Sequence, residues 1–349
     1  MTKRSCANVL LSVISSSVVL LLSLVLASCS GSPSSSTTSL NQGGSGGTIP
    51  GNPVGANLTL ISSDPYTIGP GQHATEVEPH MLANGSTLVA AFQTGRIIPG
   101  GATNIGWATS TDGGKTWTHG FLPGLTTGEG SGLYDAASDP VVAYDAKHGV
   151  WMIASLPLSA ALHPPAVVVS RSIDGLSWQN PISVDPSAPG SDKNWIVCDS
   201  WSSSPHYGSC YVEWDDPSNS EEIFMSTSVD GGLTWGPATA TANGATGIGG
   251  QPLVQPNGNV VVPIETFVSQ TAANMSAFTS SDGGLTWSAP VTISGIQFHA
   301  DSGNIRSGPL PSAAADGAGV IWTVWEDCRF RSGCATNDLV YSISSDGMN

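Results

Sequence analysis

Basic side chains are scarce in this chain: ten Lys and Arg stand against 26 Asp and Glu among 349 residues, a formal net charge of −16. A surface of that sign repels nucleic acid and anionic headgroups at long range, so a nucleic-acid partner is excluded. Cysteine is almost as rare. Of the six, Cys6 and Cys29 lie near the N-terminus, and the rest form two close sequence pairs, Cys198 with Cys210 and Cys328 with Cys334. Neither pair has the C-x₂₋₄-C spacing of a zinc site, and the reading calls for no metal and no cofactor. Large apolar residues nearly vanish from 30–57, a stretch of Ser, Gly, Thr and Pro. Such a segment cannot bury enough surface to offset the entropy of ordering, so it reads as a flexible tether.

What is present begins with an export signal. Lys3 and Arg4 precede an apolar stretch over 9–27, which ends in Leu26-Ala27-Ser28-Cys29. This Leu-Ala-Ser-Cys resembles the lipobox of bacterial lipoproteins, in which the cysteine is lipidated and becomes the first mature residue. The reading is therefore a signal peptide over 1–28, then a lipidated Cys29 and tether over 29–57. A membrane contact through the lipid anchor follows, and an extracytoplasmic place on the bacterial cell envelope. Removing 1–28 leaves eight Lys and Arg against 26 Asp and Glu, a net charge of −18.

From residue 58 onward one motif recurs. Residues 110–117 read Ser-Thr-Asp-Gly-Gly-Lys-Thr-Trp, 228–235 read Ser-Val-Asp-Gly-Gly-Leu-Thr-Trp, and 280–287 read Ser-Ser-Asp-Gly-Gly-Leu-Thr-Trp. Residues 172–178 hold a copy one residue short, and 344–349 a copy in which the sequence stops. Asp112, Asp174, Asp230, Asp282 and Asp346 are spaced by 62, 56, 52 and 64 residues, a period that means a repeat architecture. Each copy has tight-hairpin chemistry: the Asp accepts from backbone N–H groups just after it, the glycines take positive φ, and Trp117, Trp178, Trp235 or Trp287 covers the turn.

The motif resembles the Asp-box, or BNR repeat, of the sialidase-like superfamily, in which the boxes are structural. The resemblance implies an all-β, sialidase-type β-propeller over 58–349, built of four-stranded antiparallel blades. Strand patterns support it: 80–82, 86–93, 104–110 and 117–122 in the first repeat, with similar sets at 140–184, 195–241 and 251–293. Only three strands, 310–315, 319–326 and 338–344, remain for the fifth. Five blades are discernible, the last one incomplete, and six are expected for the family, so the propeller reads as C-terminally incomplete, with a native five-bladed ring as the alternative. Residues 57–62 resemble an outer strand. The disulfides expected in an exported chain are Cys198–Cys210 and Cys328–Cys334, each closing a short loop.

If every box joins third and fourth strands, ligand chemistry belongs at the opposite end, where loops enter first strands and leave second ones. That mouth collects Glu78, Arg96, Asp135, Asp139, Lys193, Arg306, Glu326 and Arg329 as candidate ligand-binding residues, with His163, Asp215 and Glu265 near them. Sialidases of the superfamily clamp the substrate carboxylate with three arginines and use a Tyr nucleophile. Here Glu76-Val77-Glu78-Pro79 replaces the first arginine's Phe-Arg-Ile-Pro run, and only Tyr341 follows Arg331. The expectation is a monomeric surface lipoprotein that binds glycan or another extracellular polymer. An exo-α-sialidase-type hydrolase lacking its last blade is the alternative, and a protein-assembly scaffold a further one.

Overall fold

The computed structural model describes residues 58–347, apart from 68, 99, 129–130, 160–164, 187–190, 270–271 and 306. The signal segment, Cys29, the tether, His163 and Arg306 therefore lie outside the described residues. Of two units, Met1–Thr59 and Leu60–Asn349, the second holds every strand named below.

Its strands fall into successive antiparallel sets. The first is β1 (Gly71–Asn84), β2 (Thr87–Ile97), β3 (Ala102–Ser110) and β4 (Thr118–Phe121). The second is β5 (Ala136–Asp145), β6 (Val150–Leu158), β7 (Val168–Ser172) and β8 (Ile182–Ser183), joined to the first by the single pair Ala102 with Ala137. Next come β9 (Asp192–Cys198), β10 (Cys210–Asp216), β11 (Glu222–Ser228) and β12 (Thr239–Ala240), which pair in the order β12-β11-β10-β9. The fourth set holds β13 (Gly247–Ile248), β14 (Leu253–Val254), β15 (Val260–Ser269), β16 (Ala272–Ser280) and β17 (Val291–Gly295). In the last, β18 (Ser312–Ala315), β19 (Ile321–Asp327) and β20 (Asp338–Ser344) pair in sequence order.

The core lies between consecutive sheets. Strand alternation decides which side chain meets which neighbour: Val212 and Trp214 of β10 pack toward Met152, Ala154 and Leu156 of β6, while Tyr211 of the same strand packs on Val260 and Val262 of β15. A similar layer between the first two sheets holds Val89, Ile105, Trp151 and Ile153. Face-to-face stacking in chain order is the packing of a quasi-one-dimensional repeat protein. On the last sheet, Ile321, Thr323 and Trp325 are buried, whereas Trp322, Leu339, Tyr341 and Ile343 are exposed.

Two details depart from expectation. The strands expected after each box shrink to short outer pieces, because Pro181, Pro237 and Pro290 stand just before β8, β12 and β17 and cannot donate to a ladder. Residues 58–67 form no strand; Ile61 instead packs on Ala90, Phe92 and Ala108 at the outer face of the first sheet. Both disulfides form. Cys198 and Cys210 face each other across β9 and β10 with Cα atoms 4.0 Å apart, and Cys328–Cys334 closes a turn after β19.

The boxes share one local geometry. Asp230 Oδ1 accepts from Ser228 Oγ (2.9 Å), Leu233 N (3.0 Å) and Thr234 N (3.0 Å), and Thr234 Oγ1 donates to Oδ2 at 2.6 Å. Asp112 and Asp282 repeat the set, and Asp174 and Asp346 a shortened one. Donation from the Thr116 backbone and hydroxyl, then from Ser110, holds Asp112 well below the usual carboxylate range. The boxes also reach backward along the chain. Thr109, Arg171 and Thr227, each just before a box serine, donate to Gly175, Gly231 and Gly284 carbonyls in the following box. The second, third and fourth boxes thus stitch their repeats to the preceding ones.

Candidate functional site

The site is built by an irregularity that recurs on the first strands. Between Val77 and His80, Ser138 and Val141, and Asp192 and Trp195, two residues oppose one on the neighbouring strand. The first extra residue of each bulge is left-handed without being glycine: Glu78 (φ 54°), Asp139 (φ 47°) and Lys193 (φ 48°). Gly249 (φ 72°) takes the corresponding place in the fourth sheet. Left-handed backbone costs a residue with a Cβ about 1–2 kcal/mol, and strain of this kind gathers where a site needs it.

The bulges turn these side chains into a cavity of about 270 Å³, which segments from all five strand sets line: Glu78-Pro79-His80, Asp139-Pro140-Val141, Lys193-Asn194-Trp195, Gly249-Gly250 and Leu310-Pro311. Its charged groups form one network. Buried Gln93 donates through Nε2 to Glu78 Oε2 and to Ser138 Oγ (3.1 Å), while Ser138 Oγ donates to Asp139 Oδ1. Arg96 Nη1 donates to Gln93 Oε1 at 2.9 Å and to the Gly101 carbonyl at 3.2 Å. Lys193 Nζ lies 3.9 Å from Asp139 Oδ2. Burial first, and then the Asp139 carboxylate with which it shares a hydrogen bond, raise the Glu78 carboxyl, against the lowering effect of Lys193 and Arg96.

One wall is aromatic. The His80 and Trp195 rings meet edge to face with centroids 5.0 Å apart. His80 Nδ1 accepts from Val142 N at 2.9 Å, so the neutral ring carries its proton on Nε2, and burial lowers its pKa further from the charged form. Asn194, 2% exposed, also lines the cavity, and neither its amide nitrogen nor its oxygen finds a partner.

Behind Gly250 lies a buried acidic layer. Glu213 and Asp215 are fully buried, with the Gly250 backbone beside the first and Glu221 beside the second. Burial raises both carboxyls above the usual carboxylate range, and Glu213 raises Asp215 further. Gly250 has to be glycine, because a Cβ there would lie 2.5 Å from Glu213 Cδ. On β15, burial pushes Glu265 up to about 7.

Of the expected mouth residues, Glu78, Asp139 and Lys193 converge on the cavity and Arg96 supports them from behind. The others stand apart. Asp135 is exposed and accepts from Ser159 Oγ at 2.9 Å. Glu326 accepts from Asn337 Nδ2 at 3.3 Å. Arg329, offered above as a ligand contact, is held in a two-pronged pair by Asp327, with Nε 2.9 Å from Oδ1 and Nη2 2.6 Å from Oδ2, and also donates to the Gly295 carbonyl. Arg331 is paired in the same way with Asp338. No arginine and no tyrosine is among the described residues lining the cavity. Sequence reading missed His80, Asn194, Trp195 and Glu213. The signal for three of them was position, since each lies within two residues of a mouth residue already identified.

The chain matches no family model and no curated protein sequence. Its fold does match solved structures. A Hadza microbial sialidase aligns with a TM-score of 0.52 at 17% identity, over 79% of this chain and 57% of that one. The chain therefore spans little more than half of that sialidase's length. The intramolecular trans-sialidase from Ruminococcus gnavus aligns at 0.47 and 17% identity, over 78% of this chain and 84% of that one. An exo-β-1,3-galactanase from Phanerochaete chrysosporium does so at 0.47 and 14%, over 81% and 63%. The first likeness defines the class: an all-β, sialidase-like propeller fold. At such identities the fold is what is shared.

Proposed function

We propose that this chain is an envelope-displayed binding protein, tethered by lipid at Cys29, that takes a polar ligand of glycan type into the axial mouth opposite its Asp-boxes. In this reading each antiparallel set is a blade, five in the described region, and the boxes are structural stitches. The observation that carries it is the recurrent bulge: Glu78, Asp139 and Lys193 hold left-handed backbone in equivalent places, all turned into one cavity. Strain repeated in register across three sheets, with polar side chains at each, suits a site organised before its ligand arrives.

A sialidase-type hydrolase is supported less well. The described lining offers neither a tyrosine nucleophile nor an arginine for a carboxylate clamp. The test is glycan-array binding and calorimetry for the parent and for Glu78→Gln, Asp139→Asn and Lys193→Met. Binding that falls at least tenfold in these variants supports the reading, and a folded parent that binds no glycan sinks it. Turnover of a fluorogenic α-sialoside by the parent would reinstate the hydrolase.

A further inference from the structure

We infer that the mouth takes a single uncharged glycosyl unit, end-on, and rejects sugars that carry a carboxylate; this rests on the glycan reading proposed above. Three independent features of the cavity lead there.

Its volume, about 270 Å³, lies just under the roughly 300–1,000 Å³ typical of small-molecule sites, room for one ring and not for a length of polymer. Its chemistry is that of hydroxyl recognition. The Glu78 and Asp139 carboxyls accept from sugar hydroxyls, and Asn194, almost wholly buried with both amide atoms unpartnered, both donates and accepts. A buried amide without partners is costly to leave so, and a vicinal pair of hydroxyls satisfies one donor and one acceptor together. Trp195, braced by His80, offers a flat apolar wall to the C–H face of a ring.

The third feature is the state of the cations. Arg96 is committed to Gln93 and Gly101, and Lys193 stands against Asp139. Arg329 and Arg331 are each chelated by an aspartate. A ligand carboxylate would enter beside Glu78 and Asp139 with no unpaired guanidinium among the described lining residues, and like charge at short range disfavours it.

The experiment compares oligosaccharides of matched length ending in galactose, glucose, mannose or xylose with ones ending in sialic or glucuronic acid, by calorimetry on the full chain. Tighter binding of at least one neutral-ended probe, by tenfold or more over every acid-ended one, is expected. Asn194→Asp, nearly isosteric, is expected to lower that binding about tenfold, and Trp195→Ala to lower it while Trp195→Phe retains most of it. Thermal melting checks that each variant is folded; should Asn194→Asp fail to fold, the probe comparison on the parent decides alone. Acid-ended probes bound as well as neutral ones would overturn the inference and leave the glycan reading standing, the more so if Arg306→Ala abolished that binding. A folded parent that binds none of the probes would overturn both.

Discussion

Gly114 and Gly284 occupy the same position in two boxes and have nearly the same backbone, φ 86° and 83°. Sequence alone predicts that alanine is equally harmful at either. Their surroundings differ: a Cβ on Gly114 meets only Trp117 Cζ2 at 4.0 Å, whereas one on Gly284 would lie 2.9 Å from Tyr211 Cε1 and collide with Thr227 Oγ1, both in the preceding sheet. Tyr211 is fully buried and cannot swing aside. Left-handed alanine costs about 1–2 kcal/mol at either site. Overpacking adds roughly 1–3 kcal/mol at Gly284 alone. Gly114→Ala is therefore expected to lose about 1–2 kcal/mol and Gly284→Ala about 2–5 kcal/mol. Guanidinium denaturation followed by tryptophan fluorescence reads the difference, with the thermal midpoint as a second probe. Equal losses for the two variants would refute the idea that boxes join neighbouring repeats and return them to the role of isolated turns.

Three further outcomes follow from the geometry. Burial raises Glu265 from its ordinary value to about 7, so the folded chain keeps a proton there that the unfolded chain releases near pH 4.5; this group's contribution to stability is full below pH 4.5 and falls as pH rises through about 7. Glu265→Gln is expected to raise the thermal midpoint above pH 7 and to flatten its pH dependence between about 4.5 and 7, and an unchanged pH profile would count against a buried carboxyl at this site. Replacing Cys198 and Cys210 by alanine together removes a closure of 12 residues and is expected to lower stability by about 2–3 kcal/mol, with the loss centred on β9 and β10 in hydrogen exchange. Cys29→Ser is expected to move the protein from the membrane to the soluble fraction of expressing cells, and unaltered partition argues against lipidation.

Much of the scaffold was legible in the chain because its rules are local. Ser-x-Asp-Gly-Gly-x-Thr-Trp specifies a hairpin through contacts within eight residues, and alternating runs such as 222–228 and 338–344 map onto β11 and β20 without a change of boundary. Outer strands were overdrawn where proline removed a ladder donor. Strand parity groups Glu78, Asp139 and Lys193, which line one cavity. The pairing of Arg329 was not legible, because nothing in the loop 327–331 announces that Asp327 turns back on it. Glu213 was invisible for the opposite reason: a carboxyl in the middle of an inner strand, between Val212 and Trp214, reads as a surface residue until the next sheet covers it.

The backward stitch gives the array a polarity. The second and third repeats each present a donor just before the box serine and a glycine carbonyl inside the box, so one unit carries both the plug for its successor and the socket for its predecessor. In the first box the Gly114 carbonyl is instead capped internally by the Trp117 indole at 3.1 Å, while the indole nitrogens of Trp178, Trp235 and Trp287 are buried without a partner. A duplicated copy of an interior repeat would arrive with both halves of the junction already in place. Growth of such a chain by tandem duplication needs no new interface, and its later divergence is free to act at the bulges, which lie away from that junction.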